Sequence, residues 1–145
     1  MPAGRRFCDP GFMLRCLIVD DNPGFLHAAR GLLQREGVAV VTASSSAEAA
    51  QRVKQLRPDV ALIDIDLGGE SGFDLARQLH GQTGATPPKI ILISTYAEQD
   101  YTDLIAASPA VGFLAKTALS ARAIADLLDG HGKDPVPPVS GPPGT

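Results

Sequence analysis

The stretch Pro58-Asp59-Val60-Ala61-Leu62-Ile63-Asp64-Ile65-Asp66-Leu67-Gly68-Gly69-Glu70-Ser71-Gly72 runs an apolar segment into a glycine-rich loop, with a carboxylate where the two meet. Val60 to Ile63 are apolar without interruption, the pattern of a strand buried on both faces of a parallel sheet. The run stops at Asp64, so a carboxylate is delivered to the strand's C-terminal end. In an open α/β sheet that edge is where ligands bind, because the loops there can splay around a crevice.

The flanking chain repeats the same unit. Leu14 to Val19 predicts a first strand ending in Asp20-Asp21, after which Asn22-Pro23 supplies an N-cap and a proline at the first helical position. Phe25, Leu26, Ala29, Leu32 and Leu33 recur at helical spacing up to Gly37. Val38 to Thr42 predicts a second strand, and Ser45 with Glu48 has the capping-box spacing that opens a helix closed by Pro58. Beyond the third strand, Ser71 and Asp74 suit the start of a helix through about His80, followed by a Gly/Pro/Thr loop from Gly81 to Pro88.

Ile90 to Ile93 is a fourth strand closed by Ser94; Thr95 and Glu98 repeat the capping spacing, and Tyr101, Leu104 and Ile105 form the inward face of a helix that ends before Pro109. Val111 to Ala115 is a fifth strand ending at Lys116, and Thr117 is placed to cap a last helix with Leu119, Ala123, Ile124, Leu127 and Leu128 inward. Five alternating strand–helix units with short connections predict an α/β fold, a doubly wound parallel sheet with helices on both faces. Residues 1–13 carry no periodic pattern and are expected to be a loose arm, residues 14–130 the domain, and the Pro/Gly-rich residues 131–145 a flexible tail.

The 145-residue chain has the length of one domain; 44% of its residues are hydrophobic and its net charge is −3. It shows no basic stripe, so no direct nucleic-acid partner is expected. Cys8 and Cys16 lack a second pair or a histidine at ligand spacing, which argues against a disulfide scaffold or zinc. Arg5 and Arg6 precede an apolar run broken at once by Asp20 and Asp21, so no export signal or membrane partner is expected and the location expected is cytoplasmic. His27 and His80 lie on helical stretches without acidic or cysteine partners at ligand spacing and read as solvated.

Strands that run the same way bring Asp20, Asp21, Asp64, Ser94 and Lys116 to one edge. Carboxylates crowded in a small crevice repel one another and call for a cation held by hard oxygen ligands; Mg²⁺ fits, since it takes one or two carboxylates, waters and a phosphate oxygen. A hydroxyl and an ammonium opposite could receive the other phosphoryl oxygens. The set has no obvious base to activate water, which favours Asp64 as a nucleophile and phosphate carrier.

From about Leu14 to Leu128 the chain resembles a response-regulator receiver domain, the phosphoacceptor half of two-component signalling. The resemblance rests on the acidic pair, the phosphoacceptor Asp64 with a Gly a few residues on, Ser94, and Lys116 three residues after the aromatic Phe113, in that order. It implies a flavodoxin-like sheet of order 2-1-3-4-5 and phosphorylation of Asp64 by a sensor histidine kinase or a phosphotransfer protein. It also implies Mg²⁺ bound by Asp21 and Asp64, with Asp20 acting through water or shaping the site and Asp66 offering its main-chain carbonyl. Ser94 would donate to the phosphoryl group, Lys116 would pair with it, and Phe113 would be a switch ring. Output would pass through the face of fourth helix, fifth strand and fifth helix to a partner protein or a second copy. The type implied is a stand-alone receiver, a signalling domain that catalyses only its own phosphorylation and dephosphorylation, with no output domain expected after Gly130.

Two positions depart from the family pattern. Gly68 stands where a proline is usual, and Thr117 follows Lys116 where a proline is frequent. Asp66 and Tyr96 occupy places that tune loss of the phosphate in the family. Asp64-Ile65-Asp66 also resembles the DxD motif of haloacid-dehalogenase-type Mg-dependent phosphatases, in which the acidic pair comes last along the chain rather than first. A receiver-like scaffold that works without phosphate is the third alternative. The spacing of Gly68, Gly69 and Gly72 is only faintly that of a dinucleotide loop, and it follows the third strand rather than the first.

Overall fold

The computed structural model describes residues 14–81, 87–95 and 101–129. Five parallel strands, β1 (Arg15–Val19), β2 (Ala39–Ala43), β3 (Val60–Asp64), β4 (Lys89–Ser94) and β5 (Gly112–Ala115), form one sheet in the order β2-β1-β3-β4-β5. The chain leaves β1 toward one edge and returns on its other side as β3. Their adjacent C-terminal ends therefore mark the switch point at which such sheets open a crevice.

Alternation along the strands divides the interior into two layers. Leu17 and Val19, Ala61 and Ile63, and Ile90 and Leu92 face α2 (Ser46–Leu56) and α3 (Gly72–His80), meeting Ala49, Val53, Phe73, Ala76 and Leu79. Cys16 and Ile18, Val60 and Leu62, and Ile91 and Ile93 face α1 (Pro23–Arg35) and α5 (Ala121–Asp129), meeting Leu26, Ala29, Leu33 and Ile124. Apolar layers thus cover both faces of the central strands, which is why Cys16–Val19, Val60–Ile63 and Ile90–Ile93 are apolar runs. Each fully buried Leu or Ile contributes about 1.5–3 kcal/mol.

The helix starts are built as the caps predict. Asn22 Oδ1 accepts from the N–H groups of Gly24 and Phe25 at 2.9 and 3.1 Å, and Ser71 Oγ from Phe73 at 3.2 Å. Gly37, at φ +91°, follows the end of α1 in the left-handed conformation that glycine adopts without strain. Ser45 Oγ accepts the Glu48 N–H at 3.2 Å, but the Glu48 carboxylate reaches the Ser44 N–H at 2.8 Å, one residue earlier than a capping box requires. Arg57 leaves the helix at φ +47°, directly before Pro58, which disfavours the right-handed conformation there.

Several expectations need correction. Leu104, expected inward, is 54% exposed, whereas Tyr101, the non-helical N-cap residue of α4 (Thr102–Ala106), and Ile105 pack against the core. This helix stops well short of Pro109, where the Ser108 hydroxyl donates to Ile105 O at 2.7 Å. Thr117 does not cap the last helix. Lys116–Ala118 form a 3₁₀ turn, Leu119 is buried beyond it, and Ser120 Oγ accepts the Ala123 N–H at 3.0 Å. The Glu36 carboxylate, at the end of α1, takes the Ala121 N–H at 2.7 Å. β1 begins at Arg15 rather than Leu14, β2 is displaced by one residue toward Ala43, and β5 begins at Gly112 rather than Val111. Residues 1–13 and 131–145, Cys8, Tyr96, Glu98 and Gly130 lie outside the described residues. Among the described residues no helix is long and apolar enough to cross a membrane.

Candidate functional site

Strand register assembles the site. Val19 pairs with Ile63, so Asp20 and Asp64, each the next residue, lie side by side. Asp64 pairs with Ile93 and Ser94 with Ala115, which brings Ser94 and then Lys116 to the same edge. Among the described residues Asp20, Asp64 and Ser94 are the buried polar or charged ones, in an interior otherwise apolar. Burying a charge costs several kcal/mol unless it is partnered, so this concentration marks a site kept for chemistry.

Each acidic group is held by neighbouring backbone. Asp20 Oδ1 accepts the Asn22 N–H at 2.9 Å, and Asp64 Oδ1 accepts the Asp66 N–H at 3.0 Å. Their other oxygens meet the Lys116 ammonium, 2.6 Å from Asp20 Oδ2 and 2.9 Å from Asp64 Oδ2. Asp20 Oδ2 is fully buried and, among the described residues, has that ion pair but no well-directed hydrogen bond. Asp21 is exposed at the rim of the crevice. The Asp66 side chain accepts the Gly68 N–H at 3.1 Å.

The electrostatics follow from burial and crowding. Burial pushes the Asp64 carboxyl above its ordinary pKa and the Asp20 charge adds to the effect, while the Asp66 N–H and Lys116 oppose it. For Lys116, burial works against the ammonium, but the bonds and charges of Asp20 and Asp64 outweigh it and hold its pKa above the ordinary value. One carboxylate oxygen from each of Asp20, Asp21 and Asp64 falls within 4.8 Å of the others. Three carboxylate oxygens so close, two of them from buried residues, fit a small hard cation.

The loop after β3 leaves room for this arrangement. Gly68 has φ +75°, outside the range open to proline, and a Cβ there would lie 2.9 Å from Asp21 Oδ2. At Gly72 a Cβ would meet the backbone of Asp64 and Ile65, so only glycine lets α3 start this close to the end of β3. Phe113 is half-buried against the layer of α2, α3 and α4. His27 and His80 are exposed, and Cys16 is buried, its thiol pushed far up by burial and by the Asp59 charge.

One neighbour escaped the sequence reading. Phe25, read there as a core position of α1, lies with its ring centroid 4.5 Å from Lys116 Nζ. Nothing in helical spacing separates such a ring from an ordinary core aromatic.

Comparisons with known proteins bear on the family and the fold. The model of the response regulator receiver domain family matches residues 16–128. The chain is 35% identical over 85 residues to Protein PilH of Pseudomonas aeruginosa, covering 57% of this chain and 69% of PilH. It is 31% identical over 122 residues to the acid tolerance regulatory protein ActR of Sinorhizobium medicae, covering 84% of this chain and 62% of ActR. Thus the chain spans less than two thirds of ActR's length. A solved response regulator from Burkholderia pseudomallei, described as having a phosphorylated aspartic acid, a calcium ion and citrate, superposes with a TM-score of 0.68 at 27% identity, covering 79% of this chain and 66% of that one.

Proposed function

Because this chain belongs to the response regulator receiver domain family, we propose that Asp64 accepts a phosphoryl group from a phosphohistidine on a sensor kinase or phosphotransfer protein. The observation that carries this is the buried cluster of Asp20, Asp64 and Ser94 with Lys116 bridging the two carboxylates. An Asp64 oxygen attacks phosphorus in line with the P–N bond. That bond breaks with its electron pair going to the imidazole nitrogen, and an acyl phosphate forms.

Asp20, Asp21 and Asp64 would hold Mg²⁺, with the Asp66 carbonyl as a further ligand; when bound, the ion supplies positive charge against the phosphoryl oxygens. The Asp66 N–H keeps Asp64 oriented. Lys116 exchanges its carboxylate partners for a phosphoryl oxygen, where its charge counts most in a water-poor crevice. Ser94, one step along the same edge, donates its hydroxyl to another, and Phe113 reports the change from β5. The phosphoryl group then favours one of two arrangements by the difference in its affinity for them, a few kcal/mol for a usable switch. Leu104 and Val111, 54% and 40% exposed, offer apolar contacts on the side of α4 and β5, where a partner protein or a second copy would read the state.

Intact-mass spectrometry after incubation with acetyl phosphate and Mg²⁺ tests the proposal. The wild-type chain should gain one phosphoryl group only with Mg²⁺ present, and Asp64→Asn should gain none. A slowly decaying adduct identifies a switch, whereas rapid turnover of a phosphomonoester identifies a phosphatase. No adduct under any condition would sink the phosphoacceptor role.

A further inference from the structure

Among the described residues Lys116 has three partners, two of them carboxylates. Its ammonium, 2.6 Å from Asp20 and 2.9 Å from Asp64, also lies 4.5 Å from the centroid of the Phe25 ring, within the range of a cation–π interaction. The Lys116 side chain is only 16% exposed, so water screens that attraction weakly.

The ring's position is tied to the same site. Phe25 is the third residue of α1, and its N–H is held by Asn22 Oδ1 at 3.1 Å. The Asn22 N–H in turn binds Asp20 Oδ1 at 2.9 Å, and Asp20 Oδ2 pairs with Lys116. The contacts therefore close a circuit from Asp20 through the first turn of α1 to the ring and back through the lysine.

We propose that Phe25 is a positioning residue for Lys116, a π face that keeps the ammonium over the crevice when Asp20 and Asp64 give it up. The inference rests on the phosphoacceptor role proposed above. In that role the carboxylates exchange the ammonium for a cation and a phosphoryl group. The ring is uncharged and competes for neither, so it is the partner the lysine keeps throughout. Without it, a four-carbon chain released from two carboxylates samples many rotamers and meets the phosphoryl oxygens less often.

A core role alone would need only apolar bulk, which separates the two explanations. Phe25→Leu keeps bulk and removes the π face; Phe25→Tyr keeps both. The rate of phosphorylation by acetyl phosphate should fall roughly five-fold in Phe25→Leu, the scale of one partly desolvated cation–π contact, and recover in Phe25→Tyr. The second measurement is the splitting of the two Lys116 Cε protons in ¹H–¹³C spectra, recorded without metal and during Mg²⁺ titration. An immobilised ammonium keeps them inequivalent. The splitting should survive Mg²⁺ in the wild type and in Phe25→Tyr, and collapse in Phe25→Leu. Unchanged rate and splitting in Phe25→Leu, or equal losses in the Leu and Tyr variants, would overturn the proposal. A wild-type chain that takes no phosphoryl group would overturn the phosphoacceptor role instead, and the Lys116 splitting would still decide whether Phe25 holds the ammonium.

Discussion

Replacing Gly72 by alanine tests how tightly α3 is set against the end of β3. The new Cβ would stand 2.7 Å from Ile65 Cα and 2.8 Å from the Asp64 carbonyl carbon, and closer still to Asp64 O. Carbon atoms in contact prefer about 3.5–4.0 Å, so something must move by about 1 Å. Every obstructing atom is backbone, so no side chain can swing aside. If the helix start moves, it stretches the Gly72 N–H bond to Ile65 O, 3.0 Å long. If the strand end moves, Asp64 leaves its place beside Lys116. Overpacking of this kind costs about 1–3 kcal/mol, and a lost backbone hydrogen bond about 1 kcal/mol more. The expected loss is therefore about 2–4 kcal/mol, from a total that for such domains is about 5–15 kcal/mol. Urea unfolding followed by circular dichroism reads it as a lowered midpoint at constant slope. Gly69→Ala is the control, since nothing lies within 4 Å of a Cβ there, and it should stay within about 0.5 kcal/mol of wild type. A Gly72→Ala chain as stable as the Gly69→Ala chain would refute the close-approach argument.

The acidic site should also show itself in pH dependence. Asp64 has a folded pKa raised by burial, so in metal-free protein its contribution is favourable below the ordinary carboxylate value, about 3.9, and is lost as pH rises through the raised value. Asp64→Asn should therefore gain stability relative to wild type across that window in urea titrations, and a constant difference would contradict this. Lys116, also raised, contributes fully below its ordinary value near 10.4 and loses that contribution as pH climbs through the folded one; Lys116→Met should lack this alkaline loss. Ser120→Ala should cost about 1 kcal/mol as a lost cap, whereas Thr117→Ala should be close to neutral in the same unfolding assay. Gly68→Ala puts a Cβ 2.9 Å from Asp21 Oδ2 at a positive φ, so calorimetric Mg²⁺ affinity should fall; unchanged affinity would mean that Asp21 does not hold the ion.

Legibility in the sequence followed the physics of each feature. The strands were legible because burial on both faces leaves an uninterrupted apolar run, and their order along the chain then brought Asp20, Asp64, Ser94 and Lys116 to one edge. Local caps such as Asn22 and Ser71 were legible because donor and acceptor lie two or three residues apart. Features that depend on the path of the chain through space were not. Lys116–Ala118 turn as a short 3₁₀ segment, which moves the cap from Thr117 to Ser120. Leu104 sits at a plausible helical spacing, but among the described residues that side of a five-residue helix is left open, and Leu104 is 54% exposed. The Glu36 carboxylate at the start of α5 and the Phe25 ring beside Lys116 join positions more than 80 residues apart, and each of those residues has an ordinary local explanation.

The charges at the site fit the proposed exchange of partners by Lys116. Three carboxylates gather at the crevice, and the two buried ones, Asp20 and Asp64, pair with the Lys116 ammonium. Lys116 relieves part of that repulsion and is held there strongly enough to raise its own pKa against the cost of burial. It does not relieve all of it, since burial and the Asp20 charge still push the Asp64 carboxyl upward. The divalent cation of the proposed function would relieve the remainder. If a cation balances the carboxylates in that way, the phosphoryl group of the proposed function, bearing the same sign of charge on more oxygens, would become the better partner of the ammonium. An uncharged ring beside the lysine is then suited to both states, because its attraction for the ammonium does not depend on which anion is in front of it.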